Sequence, residues 1–419
     1  MDSAPSQINS REATDEFLAA HRLASATLPS MRLRALISKT GGSMTEALRL
    51  SDAILSHPSI ALTEKQRERL QMARTEVLAP ALISNAQRLG IWVLPYFSDQ
   101  YPVGLRELAD APPILFVRGD MPLADAAFVA IVGSRRALLY GREQTERFAR
   151  AFSQSGVAVV SGGAAGIDTA AHRGALDTTG GVTIAVLGCG VDIAYPAANR
   201  SLFAEIAGGR GAVISEYGMG VTPEPWRFPA RNRIIAGIAK ATLVVEAPAD
   251  SGAMITARNA GEYGRDVWAI PGSVESGRSR GCHLLIQDGA GLADSPEDVL
   301  SAAFGITLPS QPEKNAISKP PSASVGNRNT GTSDPSYTPA QNQDEARPAV
   351  SPVAPVRQIP PLSPDEAALL AQLGDTPLHL DLAAPAAGLM SPQASVAVTL
   401  LEMKGLIERR PGNLFVRRP

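Results

Sequence analysis

Apolar residues recur every three or four positions through the first part of the chain, in "DEFLAAHRLAS", "MRLRALISKT" and "EKQRERLQMARTEVLAPALISNAQRLG". That period predicts amphipathic helices. Residues 14–87 therefore read as a small helical domain, preceded by a disordered stretch over 1–13. Such a piece either packs against its neighbour or forms a helix-hairpin-helix-like nucleic-acid module around Gly41 and Gly42. No basic cluster accompanies those two glycines.

From about residue 88 the pattern changes to short β-rich runs: "FVAIVG", "VAVVSG", "TIAVLG", "AVISEY", "TLVVEA" and "VWAIPG". Helical patterns such as "GREQTERFARAFSQS" and "ITARNAGEYG" lie between most of them. Strands without strong alternation, separated by helices, predict a mostly parallel sheet covered on both faces. The fold class is α/β, a doubly wound Rossmann-like domain over 88–305. Residues 306–361 are rich in Pro, Ser, Asn and Gln with few large apolar groups. Such a segment buries too little to offset the entropy of ordering and reads as a disordered linker. Residues 362–419 regain pattern. "SPDEAALLAQLG" predicts a capped helix ending at Gly374, and "SPQASVAVTLLEMKGL" a second, with Ser391 as its cap and Pro392 at its first position. "LIERRPGNLFVRR" predicts two strands about a Pro411-Gly412-Asn413 turn, completing a winged helix. A tether like 306–361 transmits no rigid geometry, so this module is expected to behave independently of the α/β domain.

Composition narrows the function classes. The chain has 419 residues, 44% of them hydrophobic, which suits two or three packed domains. No window approaches 18 uninterrupted apolar residues, so no membrane association is expected. The first residues lack the basic-then-apolar order of a secretory signal. Cys189 and Cys282 are the only cysteines, in keeping with a cytoplasmic setting and not with a disulfide framework. A formal net charge of −2 means that any nucleic-acid site must gather its positive charge locally.

In open α/β sheets, ligands sit beyond the carboxyl ends of the strands. Those ends carry Gly133-Ser134-Arg135-Arg136, then Ser161-Gly162-Gly163-Ala164-Ala165-Gly166, Gly188-Cys189-Gly190, Ser215-Glu216-Tyr217, Glu246 and Pro271-Gly272. Glycines admit close backbone approach to an anion, and a following helix start offers free N–H groups. "WRFPARNRIIAG" adds Arg227, Arg231 and Arg233, whose forked guanidinium groups suit phosphate. Interleaved Trp226 and Phe228 either pack in the core or stack on bases. No G-x-G-x-x-G follows a strand and no G-x-x-x-x-G-K-[ST] occurs, so neither a dinucleotide cofactor nor a P-loop is implied.

These residues together resemble the DprA/Smf family of DNA-processing proteins. The resemblance rests on "VAIVGSRRALLYG", "VAVVSGGAAGIDTAAHRGAL", "GVTIAVLGCGVDIAYPAANRSLF", "FPARNRIIAGIAKATLVVEAPADSGAMITARNA" and "AIPG", in the family's order over roughly residues 90–300. It implies a protein that binds single-stranded DNA, protects it and loads the RecA recombinase onto it during natural transformation, as a homodimer in the cytoplasm. It also implies that Gly133, Ser134 and Arg135, Arg231, Asn232 and Arg233, with Ser161, Gly162, Gly163 and Gly166, line the DNA pocket. Ala165 stands where family members often carry Lys or Arg, which implies one phosphate contact fewer. His283 stands at the usual Asn of a G-x-N-x-L-I turn.

An enzyme is the competing expectation. Phosphoribohydrolases related to lysine-decarboxylase-like proteins share this kind of fold, but their P-G-G-x-G-T-x-x-E signature is absent from "VVEAPADSGAMITARNA". Asp168 and His172 can meet on one helical face, yet two ligands from one turn do not make a metal site. They are expected to brace the glycine corner and pack in the core, respectively. No metal, cofactor or catalytic residue is assigned. A transcriptional regulator driven by the winged module is a weaker expectation, since its helix offers Gln393, Ser395 and Thr399 but little positive charge. Arg409, Arg410, Arg417 and Arg418 flank the turn and serve either phosphates or a partner protein.

Overall fold

The structure, a computed structural model, describes residues 10–307, 362–410 and 414–418. Most of the expected N-terminal stretch, the expected linker and the Pro411-Gly412-Asn413 turn lie outside the described residues. Residues 11–13, expected to be without structure, instead open a helix. Ser10 accepts a hydrogen bond from Ala13 N and so caps α1 (Arg11–Ser25). Five helices follow: α2 (Ser30–Ser38), α3 (Met44–Arg49), α4 (Asp52–Leu55), α5 (Glu64–Thr75) and α6 (Ala81–Leu89). Thr63 and Gln66 form a reciprocal capping box at α5. Phe17, Ala20 and Leu23 of α1 share one buried cluster with Phe116, Phe203 and Val213 of the following domain. The Phe17 ring meets Phe116 edge-on at 6.1 Å, so this helical piece is a lid on one face of the sheet.

The sheet contains β1 (Ile91–Pro95), β2 (Ile114–Gly119), β3 (Phe128–Gly133), β4 (Ala158–Ser161), β5 (Thr183–Val186), β6 (Gly211–Ser215), β7 (Ala241–Val245), β8 (Asp266–Ala269) and β9 (Gly291–Leu292). Their order is β1-β2-β6-β5-β4-β3-β7-β8-β9. From β6 to β9 every pair is parallel, while β1 pairs with β2, and β2 with β6, antiparallel. Adjacent residues feed opposite faces: Ala185 enters one core cluster, Ile184 and Val186 the other. The helices that interleave with the strands are α7 (Val103–Arg106), α8 (Leu139–Gln154), α9 (Ile167–Leu176), α10 (Arg200–Ala207), α11 (Arg227–Ile238), α12 (Gly252–Glu262), α13 (Arg280–Gln287) and α14 (Pro296–Phe304).

Strand order reverses at β3. The chain proceeds from β3 through β4 and β5 to β6 on one side, then returns to place β7 against β3's other edge. Crevices at the carboxyl ends of β3 and β7 are therefore where this architecture binds ligands.

The C-terminal region folds as α15 (Pro364–Leu370), β10 (Leu378–His379), α16 (Leu380–Ala386), α17 (Ser391–Met403), β11 (Ile407–Arg410) and β12 (Leu414–Arg417), a winged helix with strand order β10-β12-β11. Two boundaries differ from expectation. The first helix stops at Leu370, four residues before Gly374, and Ser391 is the first helical residue of α17 with Met390 as its cap. The expectation of an independent module is overturned. Helix α17 packs on α11, Arg409 pairs with Glu262 at 2.6 Å, and Arg258 pairs with Glu402 at 3.3 Å. Tether composition says nothing about complementary surfaces at its two ends, and here those surfaces meet.

Candidate nucleic-acid interface

Strand β3 ends at Gly133, and Ser134 closes a tight turn by accepting a hydrogen bond from Arg136 N at 3.1 Å. The Ser134 carbonyl accepts from Ile167 N at 3.1 Å, which ties this turn to the start of α9. Gly166 makes that approach possible: its φ is +83°, and a β-carbon there would collide with the Ser134 carbonyl. Ser134 is thereby buried, whereas Arg135 and Arg136 project outward and are exposed. The Arg135 guanidinium lies 5.2 Å from the centre of the Phe228 ring, and Phe228 lies against Tyr195 at 5.3 Å. Phe228 is half-buried. Trp226 is held differently, by its Nε1 donating to Glu224 at 2.7 Å and an edge-on contact with Tyr217.

The glycine corner faces largely inward. Ser161 is fully buried and donates to the Ile131 carbonyl at 2.7 Å. Gly162 and Gly163 are buried too; a β-carbon on Gly162 would meet the Arg231 and Asp168 side chains at 2.6 Å, and one on Gly163 the Phe203 ring at 2.8 Å. Arg231 is only 4% exposed. Its Nη1 donates to the Gly162 carbonyl at 2.6 Å and also to the Val186 carbonyl. It therefore brackets the carboxyl ends of β4 and β5. Asp168 accepts from Ala164 N at 3.2 Å. Burial raises the Asp168 carboxyl above its ordinary value, against the pull of Arg231. Burial likewise draws Arg231 down to about 10, against the pull of Asp168, so the guanidinium stays protonated at neutral pH.

Three of the residues expected to line the pocket are buried in the structure. Arg231, Asn232 and Arg233 do not present a common outward face. Arg231 and Arg233 sit about 200° apart around α11, from 3.6 residues per turn. Arg233, 7% exposed, pairs with Glu216 and lies 3.8 Å from Asp110. Burial lowers its affinity for the proton, but those two carboxylates more than offset that and raise it. Asn232 donates to the Gly252 carbonyl at 3.1 Å. All three hold backbone and side chains in place. Of the glycine corner, Ala164, Ala165 and Gly166 reach the surface, with Ala165 exposed.

His172 is wholly buried, with Nδ1 2.7 Å from Thr183 Oγ1; that hydroxyl donates to the Val159 carbonyl, so Nδ1 is the donor to it. Burial, with Arg231 nearby, lowers its pKa to about 3. Cys189 and Cys282 are buried free thiols, and burial pushes Cys189 up to about 11. Among the described residues no three His, Cys, Asp or Glu side chains converge as a metal ion requires. No helix of the described residues is long and apolar enough to cross a membrane.

Two neighbouring cavities open at the reversal point. One, of about 610 Å³, is lined by Ser134, Arg135, Arg136, Ser251, Ser276 and Arg278. The other, of about 430 Å³, is lined by Leu138, Tyr140, Glu246, Pro271, Ser273 and Arg278. Arg278 was invisible as a site residue in the sequence. It follows β8 by nine residues in "SVESGRSR" and reaches back to donate to the Arg136 carbonyl at 2.8 Å. The groove's exposed cations are therefore Arg135, Arg136 and Arg278, from two loops on either side of β7.

Residues 92–304 match the DNA recombination-mediator protein A family, and residues 353–413 match the DprA winged helix domain. The chain is similar to the DNA processing protein DprA of Streptococcus pneumoniae, at 48% identity over 210 residues, spanning 49% of this chain and 73% of that protein. It is similar to Protein Smf of Escherichia coli, at 36% identity over 327 residues, spanning 78% of this chain and 77% of that protein. A solved structure of DNA processing protein A (DprA) from Streptococcus pneumoniae superposes with a TM-score of 0.59 at 37% identity, covering 68% of this chain and 98% of that one.

Proposed function

The chain belongs to the DprA/Smf family of DNA-processing proteins, and from that premise we propose that it binds single-stranded DNA across the carboxyl edge of the sheet. The observation that carries this reading is the gathering of Arg135, Arg136 and Arg278 around an open cavity of about 610 Å³, on a chain whose net charge is −2. Local cations on a nearly neutral protein supply phosphate attraction without general adhesion to polyanions. Gly133 and Ser134 set the turn that aims Arg135, and Gly166 lets that turn lock onto α9. Ser161, Gly162, Gly163, Arg231, Asn232 and Arg233 form the rigid floor beneath. The half-buried Phe228 ring, with the Arg135 guanidinium over it, is where a base stacks. A stacked base must leave the duplex, which favours single strands.

The protein acts by binding, not by catalysis. Asp168 and His172, the acid–base candidates, are 8% and 0% exposed and hydrogen-bonded to the protein's own chain, where no substrate atom reaches them. A strand held on this edge leaves its other side free to receive a recombinase, so the role is to shield incoming single-stranded DNA and load RecA onto it, as a cytoplasmic homodimer. The recombinase, the dimer and the compartment rest on family resemblance.

Fluorescence anisotropy with a labelled 20-mer and its duplex, across a salt series, tests the reading. Single strands should bind more tightly than duplex, with affinity falling steeply with salt. Equal affinity for both forms, or binding insensitive to salt, overturns it.

A further inference from the structure

We propose that the cavity of about 430 Å³ beside the arginine groove holds a base of the bound single strand, stacked against Tyr140. This rests on the strand-binding reading and adds to it a second base contact besides Phe228. The cavity adjoins the groove, since Ser276 and Arg278 line both. At about 430 Å³ it lies within the roughly 300–1,000 Å³ usual for small-molecule pockets. Leu138, Tyr140 and Pro271 supply apolar walls. Leu138 and Tyr140 are 50% and 52% exposed, Leu139 between them is 72% exposed, and Val274, next to the lining Ser273, is 86% exposed. Scattered singly such residues mean little, but grouped at the rim of a cavity they mark a site for an apolar partner.

The charged lining decides which part of a nucleotide enters. Helix α8 starts at Leu139, and a helix start at the carboxyl edge of such a sheet is where a phosphate ordinarily sits. Here the chain fills that place itself. Both oxygens of Glu246 accept from Leu138 N, at 3.0 and 2.9 Å, and the side chain is 5% exposed. A β-carbon on Gly141 would collide with Glu246 Oε2, so α8 is packed onto the carboxylate. Glu246 also holds φ of +47°, an uncommon backbone state for a non-glycine residue and one that persists only where surroundings impose it. A phosphate in this cavity would lie against a fixed carboxylate, which repels it. The cations stand next door. Arg278 lies 3.8 Å from Glu246 Oε1 and donates to the Arg136 carbonyl at 2.8 Å, and Arg135 and Arg136 line the larger cavity but not this one. Phosphate is thereby directed to the groove, and an uncharged group to the cavity.

Tyr140 makes that uncharged group a base. Its hydroxyl donates to the Pro271 carbonyl at 3.3 Å, which ties α8 to the loop after β8 and restrains the ring at the cavity wall. An aromatic ring held beside phosphate-binding cations is the pairing on which single-strand sites are built. An apolar peptide would gain the same walls but nothing from the three arginines that border them, whereas a nucleotide satisfies both.

Anisotropy on the full chain tests this by comparing (dT)20 with a 20-mer of abasic units, at low salt where phosphate contacts alone hold a strand. Tyr140→Ala should weaken (dT)20 binding roughly tenfold, as for the loss of one base–aromatic stack, and leave the abasic strand bound as by the wild type. Tyr140→Phe, which keeps the ring and loses the hydroxyl, should recover most of that loss. The salt dependence of (dT)20 binding should keep its slope in both variants, since no cation is removed. Undiminished (dT)20 affinity in Tyr140→Ala overturns the proposal and leaves the strand-binding reading standing. An equal loss on the abasic strand does the same, because Tyr140 would then shape the groove without meeting a base. A wild-type protein that fails to bind (dT)20, or binds it no better than duplex, overturns the strand-binding reading and this subsite with it.

Discussion

Replacing Arg231 with methionine separates a structural arginine from a DNA-contacting one. The wild-type guanidinium donates to the Gly162 and Val186 carbonyls and, more than Arg135, attracts the buried Asp168 carboxylate. Methionine matches much of its length and none of its charge. Each lost hydrogen bond from a charged donor costs about 1.5–3 kcal/mol, and a carboxylate left buried without its partner about 3–5 kcal/mol. These terms overlap, because the relaxed loop can admit water or Asp168 can take up a proton. The expected net loss is therefore about 3–5 kcal/mol rather than their sum.

Urea unfolding followed by tryptophan fluorescence measures the global effect. Hydrogen–deuterium exchange over 161–168 measures the local one, since a chain of several packed parts need not unfold in one step. Arg231→Met combined with Asp168→Asn removes both charges and should recover part of the loss, as for other buried pairs replaced together. DNA affinity, measured where the variant is folded, should fall only in proportion to the loosening of the corner. A variant with wild-type stability and exchange, but with DNA binding reduced as much as by loss of Arg135, would refute the bracket and return Arg231 to the strand.

Arg135→Ala should weaken single-strand binding by about 1–3 kcal/mol in anisotropy with the melting temperature unchanged, because its side chain is exposed; unchanged affinity rejects the contact. Ala165→Lys, on the outward side of the glycine corner, should tighten binding and steepen its salt dependence by about one unit of slope; an unaltered slope means that no phosphate passes there. Arg409→Glu places like charges against Glu262 and Glu402, so the winged module should undock and the radius of gyration by small-angle scattering should rise. An unchanged radius would leave apolar packing on α11 as the sufficient restraint. His172 makes stability acid-sensitive: below about pH 6.5 the unfolded imidazole binds a proton, while the folded one resists down to about 3. Stability therefore falls as pH drops through that window, by about 2 kcal/mol between pH 7 and 5 for this group, and His172→Gln should flatten the urea-measured pH dependence by that amount.

The doubly wound core was legible because its strands are continuous apolar runs separated by helices, a pattern that few other architectures satisfy. Strands β1 and β2 were not read as strands. "IWVLP" and "ILFVRG" are short and punctuated by prolines, and they pair antiparallel at the sheet's margin. There a strand is specified by which neighbour it meets and not by its own period. The same distinction explains the winged module, whose fold is local and legible while its seat on α11 and α12 depends on Glu262 meeting Arg409 across 147 residues of separation.

Site residues divide along a related line. That arginines gather at the carboxyl edge is a property of loop composition, and the sequence displays it openly. Which of them face solvent depends on a competition for acceptors that only the assembled fold decides. Arg231 finds two strand-end carbonyls that β4 and β5 cannot satisfy once they stop pairing, and Arg233 finds Glu216 and Asp110. A buried guanidinium that fails to meet such partners costs several kcal/mol, so the burial of α11 and the inward turn of its arginines are one event. Arg135 is freed for solvent by the opposite circumstance. The Ser134 carbonyl is taken by Ile167 N, and the Ser134 hydroxyl by Arg136 N. The turn therefore satisfies its own polar groups and leaves the guanidinium at its tip to find an acceptor from outside. In the proposed function, the strand's phosphates supply that acceptor.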